Sequence, residues 1–514
     1  MMGKKKEIYF LGGILLLALV LFFTFSSSVV STSDSALYFK LAENLDKSLK
    51  INTTTSLHSL VQPGYSFMIY VYNFYLNNIE LASQLVSLIS TFLSIIIIYF
   101  LAKKLFNFKI AILSIILFIL NPYVIWCSGA AWTEALFTFL FISIVFLSWL
   151  LLNKEKNTFW YLILGILIGF SYYVRIVGLS FLPVIILWLF INYIYYKRIR
   201  LKKLFISLTL LIIGVVMVVS PYLIYLYKEK GQFVITGQQD YAVSSSKSSY
   251  FEKNIIFFGL NEENTDYNSN QLEMEKPKKS YIIIYINNFF RNLPHNIAYV
   301  ICYFIFQIIF IVFAFYFSKK KKYILHKLYF LGSWIPFFLF IYYSGKVYYR
   351  YYFPLTPIIL MIVAVGIVRL YQSLSFKKKR IVILSILLVF LSFQFVIAIE
   401  DGYQFRFFSL FRDTEIKEMS QFFKEKYGSG HKILTNARII AYWAQGINYI
   451  LPSNEYEDII EFARNREIKY LIFDKNRISW IRPRLENLYK IKENKDLKLL
   501  FEKNGFYFYK IKIN

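Results

Sequence analysis

Asp34 and Glu134 are the acidic residues of this 514-residue chain placed where proton transfer is feasible. Each stands at the rim of a long apolar block, Asp34 in Ser33-Asp34-Ser35-Ala36-Leu37 and Glu134 in Trp132-Thr133-Glu134-Ala135-Leu136. A carboxylate at such a rim can have its pKa shifted and can accept a hydroxyl or amine proton as a general base. Each also has a plainer use, Asp34 as the N-cap of an amphipathic helix over 35–46 and Glu134 as a first-turn acid facing a helix dipole. Cations form the second set: Arg175, alone between two apolar blocks in Tyr173-Val174-Arg175-Ile176-Val177-Gly178, and Lys346 and Arg350 in Tyr343-Ser344-Gly345-Lys346-Val347-Tyr348-Tyr349-Arg350. A guanidinium grips a phosphate bidentately, whereas the bland alternative is snorkelling to lipid headgroups. His58, in Ser56-Leu57-His58-Ser59-Leu60, is one of only 4 histidines, and none lies at ligand spacing from another. A histidine-built metal site is therefore not expected, although Asp34 and Glu134 together could hold a divalent cation. No other cofactor is expected.

The elements that must position these residues are apolar on every side. The chain is 57% hydrophobic, 20% aromatic and only 17% charged, against about a quarter charged in ordinary soluble domains. Apolar blocks run at 8–30, 80–102, 109–127, 134–152, 157–174, 176–196, 203–227, 296–318, 325–343, 352–371 and 381–399. Each approaches the roughly 20 residues that cross a bilayer, so the spacing predicts about eleven spanning helices. The first block is longer than the roughly 7–15 residues of a signal-peptide core and is expected to be a retained helix. Residues 61–76 are apolar too, but short, Tyr-rich and opened by Pro63-Gly64. Loop charge decides their status. If 61–76 does not cross, the loops Lys103–Lys109, Lys154–Lys156, Lys197–Lys203, Lys319–Lys322 and Lys377–Arg380 all fall on one side, and every one is basic. That is the positive-inside pattern of a cytoplasmic membrane protein. Residues 61–76 are thus expected to lie at the outer interface. The N-terminus is then inside, and 31–79, 228–295 and 400–514 lie outside. Asp34, Glu134, Arg175, Lys346 and Arg350 share that outer face.

The segment 401–514 changes character, with frequent charges and short β-type runs at 431–435, 469–473 and 506–511 around a helical stretch at 455–467. It is expected to be a small extracytoplasmic α/β domain following an all-α membrane domain over 1–400. Cys127 and Cys302 both fall in apolar blocks and offer no disulfide framework. The net charge of +27 is accounted for by loop placement, so nucleic acid is not an expected partner. No P-loop, no G-x-G-x-x-G after a strand and no G-x-S-x-G occurs, which argues against a nucleotide-driven pump and an α/β-hydrolase. Acidic residues are scarce in mid-span, which weakens an ion-coupled carrier.

Several stretches taken in order resemble a known group. Asp34-Ser-Ala-Leu-Tyr38 with Leu41-Ala42 is similar to its first outer loop, although Ser35 stands where many relatives carry a second acid. Gln62-Pro63-Gly64-Tyr65 matches a proline-led juxtamembrane segment, although His58 is four residues removed from the proline it often adjoins. Asn121-Pro122 through Ser128 to Thr133-Glu134, Arg175-Ile-Val-Gly178-Leu179 with Pro183, and Arg350-Tyr351-Tyr-Phe-Pro354-Leu-Thr-Pro357 follow. Together they resemble the GT-C superfamily of integral membrane glycosyltransferases, in particular protein O-mannosyltransferases and lipid A aminoarabinose transferases. The resemblance implies inverting transfer of a sugar from a polyprenyl-phosphate donor to a glycan, lipid or protein acceptor at the outer face. It assigns Asp34 as base, Glu134 as its helper, and Tyr38, His58, Arg175, Lys346, Arg350 and Tyr351 to substrate. A carrier of lipid-linked sugars and an oligosaccharide ligase or polymerase are the competing readings.

Overall fold

The computed structural model describes residues 4–25, 33–48, 61–153, 158–196, 200–236, 307–319, 322–336, 349–373, 381, 385, 408–435, 438–451, 456–475, 478, 483–503 and 505–512. They fall into two compact units, one helical and one built on a sheet.

The helical unit contains α1 (Lys4–Phe25), α3 (Gly64–Leu76), α4 (Ile79–Leu105), α5 (Phe108–Ile119), α6 (Pro122–Gly129), α7 (Thr133–Asn153), α8 (Trp160–Val174), α9 (Phe181–Ile194) and α10 (Leu201–Lys230). It continues with α11 (Gln307–Tyr316), α12 (Lys322–Gly332) and α13 (Thr356–Ser373), while α2 (Ser33–Ser48) belongs to the other unit. Among the described residues five helices are long and apolar enough to cross a membrane, or six if α5 and α6 form one broken span. α3, with 13 residues, is about 20 Å long, short of a roughly 30 Å hydrocarbon core. The block expected to be one helix over 109–127 is broken, with α5 and α6 meeting at 65°. Asn121 causes the break: its side chain accepts from the Tyr123 amide at 3.0 Å, and Pro122 at the first position of α6 has no amide to continue α5. The expected span at 381–399 and the outer loop beyond residue 236 lie outside the described residues, apart from 381 and 385.

Lipid offers no hydrophobic incentive for helices to associate, so close packing must supply it. α8 and α10 cross at Gly165 and Gly214, where a Cβ on Gly165 would press on the Leu211 carbonyl and come within 3.0 Å of the Gly214 Cα. Gly366 of α13 faces the Phe310 backbone of α11 in the same way. Ser90, Thr91, Ser94 and Ser114 return their hydroxyls to carbonyls one turn back, which removes unpaired donors from the apolar interior. Ion pairs and hydrogen bonds from two lysines mark one end of the bundle. There Lys103, near the end of α4, pairs with Glu7 of α1, and Lys327 of α12 donates to the Leu105 carbonyl.

The second unit carries a five-stranded mixed sheet of order β2-β1-β3-β5-β4. Its elements are α2, α14 (Phe408–Tyr427), β1 (Lys432–Thr435), α15 (Arg438–Trp443), β2 (Ile447–Ile450), α16 (Tyr456–Asn465), β3 (Tyr470–Asp474), β4 (Leu497–Lys503) and β5 (Phe506–Ile511). β1 runs parallel to β2 and β3, with Leu434 beside Leu471, and β5 is antiparallel to β3 and β4, with Phe508 opposite Ile472. One face packs Ile433, Ile472 and Phe508 against Ile416 and Phe423 of α14, Ile440 of α15, and Ala36, Leu37 and Leu41 of α2. The other packs Leu471, Phe473 and Tyr509 against Ile459 and Ile460 of α16. The three strands read from sequence are present as β1, β3 and β5. β2 is a four-residue INYI and β4 an LKLLFEK edge strand with a bulge near Leu499–Phe501, patterns too short or too charged to stand out.

Candidate functional site

Glu134 and Arg175 are brought together by the ends of two helices. α7 opens with Thr133 and Glu134, and α8 ends at Val174, leaving Arg175 in extended backbone (φ −152°, ψ 136°) with its amide donating to the Ser171 carbonyl at 2.9 Å. The chain then folds back as a 3-10 turn over Ile176–Ser180. Gly178 makes that return possible, because a Cβ there would lie 2.5 Å from the Tyr172 amide nitrogen. So held, Arg175 donates from Nη1 to Oε1 of Glu134 at 2.9 Å. Side-chain exposure is 13% for Arg175 and 3% for Glu134, and the Thr133 hydroxyl approaches Oε2 at 3.4 Å. Two charges this far from water persist only because they neutralise each other, and removing either partner of such a pair costs about 3–5 kcal/mol.

The neighbouring segments lock this end of the bundle. Gly64, in Gln62-Pro63-Gly64-Tyr65, sits on the last turn of α8, where a Cβ would be 2.7 Å from the Tyr173 carbonyl carbon. Tyr65 places its hydroxyl 3.3 Å from Ser87 Oγ, and Ser87 donates to the Ala130 carbonyl at 2.7 Å, in the turn leading into α7. Gln62 donates to the Thr236 hydroxyl at 3.0 Å and the Tyr172 hydroxyl to the Ile235 carbonyl at 2.6 Å, which ties in the chain after α10. Trp126 and Trp132 meet edge to face at 4.4 Å between centroids. Because α4 begins here and carries Lys103 in its last turn, this is the end of the bundle opposite Lys103.

The other expected site residues are distributed as follows. Asp34 lies in the first turn of α2, half-buried, inside the helix that Ser33 opens rather than before it. Tyr38 follows one turn later and packs against the core of the sheet unit. Asp34 and Tyr38 thus belong to the second unit, and Glu134 and Arg175 to the first. Arg350 and Tyr351 lie in a 3-10 helix over Tyr349–Leu355 that packs against α7 and leads into α13, with their side chains outside the described residues. His58 and Lys346 lie outside the described residues altogether. Among the described residues no group of three His, Cys, Asp or Glu side chains is placed to hold a metal ion. At Glu134 a guanidinium already occupies the carboxylate, and it competes with a cation for that ligand. Thr133 and Ser87 were not legible as site-supporting residues. A hydroxyl in an apolar span reads as one satisfied within its own helix, and only the tertiary contact at Ala130 distinguishes Ser87.

Comparison with known proteins bears on this arrangement. A family model described as dolichyl-phosphate-mannose-protein mannosyltransferase matches residues 61–225, the stretch that holds Gln62–Tyr65, Glu134 and Arg175. No curated protein matches the sequence. Among solved structures, ArnT from Cupriavidus metallidurans in the apo state aligns with a TM-score of 0.61 at 11% identity, covering 98% of each chain. The same protein bound to undecaprenyl phosphate gives 0.61 at 10% identity, again over 98% of each chain. Archaeal oligosaccharyltransferase AglB from Archaeoglobus fulgidus, in complex with an inhibitory peptide and a dolichol-phosphate, gives 0.57 at 12% identity, over 98% of this chain and 74% of that one. The chain has the fold of these structures and is a multi-pass membrane protein, and the resemblance to GT-C glycosyltransferases is borne out.

Proposed function

We propose that the chain is a membrane glycosyltransferase that moves a sugar from a polyprenyl-phosphate donor to an acceptor at the outer face of the cytoplasmic membrane. The buried Glu134–Arg175 pair carries the reading: it holds a guanidinium, shielded from water, at the end of the bundle opposite Lys103, where the loop-charge pattern of the sequence gives no reason for a cation. The undecaprenyl phosphate and dolichol-phosphate held by structures of the same fold support the choice of donor class.

In this reading Asp34 takes the proton from the acceptor hydroxyl as that oxygen attacks the anomeric carbon. The bond from that carbon to the phosphate oxygen breaks, the configuration inverts, and polyprenyl phosphate leaves with the negative charge. Arg175, with Arg350 and Lys346 from the 343–357 stretch, stabilises that charge. Glu134 acts by holding the Arg175 guanidinium in place, since an arginine engaged by a carboxylate is already oriented when substrate arrives. Tyr38, Tyr351 and His58 line the substrates. The acceptor is a glycan, lipid or protein hydroxyl or amine, selected by the outer segments 228–295 and 401–514.

The test is transfer of labelled sugar from polyprenyl-phosphate-sugar by the purified protein. Asp34→Asn is expected to lower transfer by about 10²–10⁴-fold with thermal unfolding unchanged. Full transfer by Asp34→Asn would remove Asp34 as the base. Movement of the lipid-linked sugar across vesicles without any transfer would replace the enzyme by a carrier.

A further inference from the structure

In the proposed reaction Asp34 acts from α2, and α2 is held by residues to which that reaction gives no part. The helix presents two stripes of side chains at one-turn spacing. Leu37 and Leu41 form the first, buried in the core that the sheet shares with Ile416 and Phe423 of α14 and Ile440 of α15. Phe39 and Glu43 form the second, and both meet Tyr442 of α15. The Phe39 and Tyr442 rings lie 5.7 Å apart between centroids, and the Tyr442 hydroxyl donates to Oε1 of Glu43 at 2.7 Å.

An apolar stripe is non-directional, so by itself it leaves a helix free to roll and slide by small amounts. A hydrogen bond to a carboxylate off that stripe is short and directional, and it removes both freedoms. The difference matters for a base. Side-chain ends stand about 5 Å from a helix axis, so a roll of about 20° displaces a carboxylate by about 2 Å. Proton abstraction requires an approach of about 2.6–3.2 Å, and a displacement of that size forfeits it. Tyr442 is itself fixed. Its ring meets Trp443 edge to face at 4.9 Å between centroids, and Lys417 of α14 stands 4.5 Å over the Trp443 ring. Ile439, Ile440 and Ala441 of the same helix are buried. Gly446 closes the turn into β2, where a Cβ would lie 2.8 Å from the His431 carbonyl oxygen. Glu43 also faces Lys40 at 3.7 Å, but with side-chain exposures of 38% and 39% that pair holds little.

We propose that Tyr442 and Glu43 are positioning residues for sugar transfer: through their hydrogen bond the C-terminal sheet sets the roll of α2, and with it the place of the Asp34 carboxylate. This role depends on Asp34 being the base proposed above.

The test is the transfer kinetics of the full-length protein, with amide hydrogen exchange read alongside. Tyr442→Phe, which removes only the hydroxyl, is expected to lower kcat about tenfold with KM for the donor unchanged. Glu43→Leu should match it, whereas Glu43→Gln keeps an acceptor oxygen for Tyr442 and should retain kcat. Amides of 36–45 should exchange faster in Tyr442→Phe while those of β1 and β3 do not. In the Asp34→Asn background Tyr442→Phe is expected to cost nothing further, because a residue that acts through the Asp34 carboxylate then has nothing left to position. Unchanged kcat in Tyr442→Phe, or the same fold loss with and without the Asp34 carboxylate, would overturn the positioning role and leave Asp34 as the base. Full transfer by Asp34→Asn would remove the base and the positioning role together, so the two failures are told apart.

Discussion

Arg175 and Glu134 are 41 residues apart in the chain and meet in one buried ion pair. Each was legible as a candidate from its surroundings alone, because an ionisable residue at the edge of an apolar block is expensive to keep there. Their pairing was not, since each sits at the end of a different helix and periodicity within one helix says nothing about its neighbour. The pairing makes a prediction at the residue scale. Glu134→Leu or Arg175→Met alone is expected to destabilise the protein by about 3–5 kcal/mol, through the unpaired charge left behind. The double variant should recover most of that loss, because both charges leave together, yet it should not recover sugar transfer. Thermal unfolding of the purified protein in detergent, set beside the transfer assay, reads both. Additive destabilisation in the double variant would deny the coupling. Asp34 illustrates the other limit: α2 takes it into its first turn instead of leaving it as the cap before the helix expected over 35–46, while its role rests on chemistry that only a transfer assay reads.

Among the elements, five of the eleven expected blocks, at 80–102, 134–152, 176–196, 203–227 and 352–371, return as long apolar helices within a few residues of their expected bounds, because some twenty apolar residues in a row leave little but a membrane span. What escaped were the breaks and the close crossings. The bend between α5 and α6 follows from Asn121 and Pro122, visible in the sequence but outweighed by the continuous hydropathy around them. The crossing of α8 and α10 depends on Gly165 and Gly214, which lie far apart in sequence and acquire meaning only when their backbones touch. Gly165→Leu is expected to force these helices apart and to lower stability by about 3 kcal/mol, the upper range for overpacking because backbone rather than a side chain is in the way. Gly13→Ala in α1, where a Cβ meets nothing within 4 Å, should leave the melting temperature unchanged or slightly higher. Equal behaviour of the two variants would show that the crossing is not set by glycine.

At the scale of the whole molecule, loop charge predicts an orientation with 61–76 and 401–514 on the outer side. Single cysteines introduced into either segment are expected to react with a membrane-impermeant maleimide added from outside, while cysteines in the Lys154–Lys156 loop react only after permeabilisation. Outside labelling at 154–156 would invert the orientation. The sequence by itself determined that this is a many-span membrane protein with a small α/β appendage, and its outer-loop motifs carried the likeness to GT-C glycosyltransferases. Those properties are local: composition, run length, loop charge and short motifs each survive without knowledge of any contact. Tertiary structure decided that α2, which carries Asp34 and Tyr38, shares a core with the C-terminal sheet, because Ala36, Leu37 and Leu41 find their apolar partners about 400 residues away in α14, α15 and β5. It also decided that Glu134 pairs with Arg175. An isolated carboxylate and an isolated guanidinium look like separate functional groups, and only their meeting at 2.9 Å, shielded from water, turns them into one.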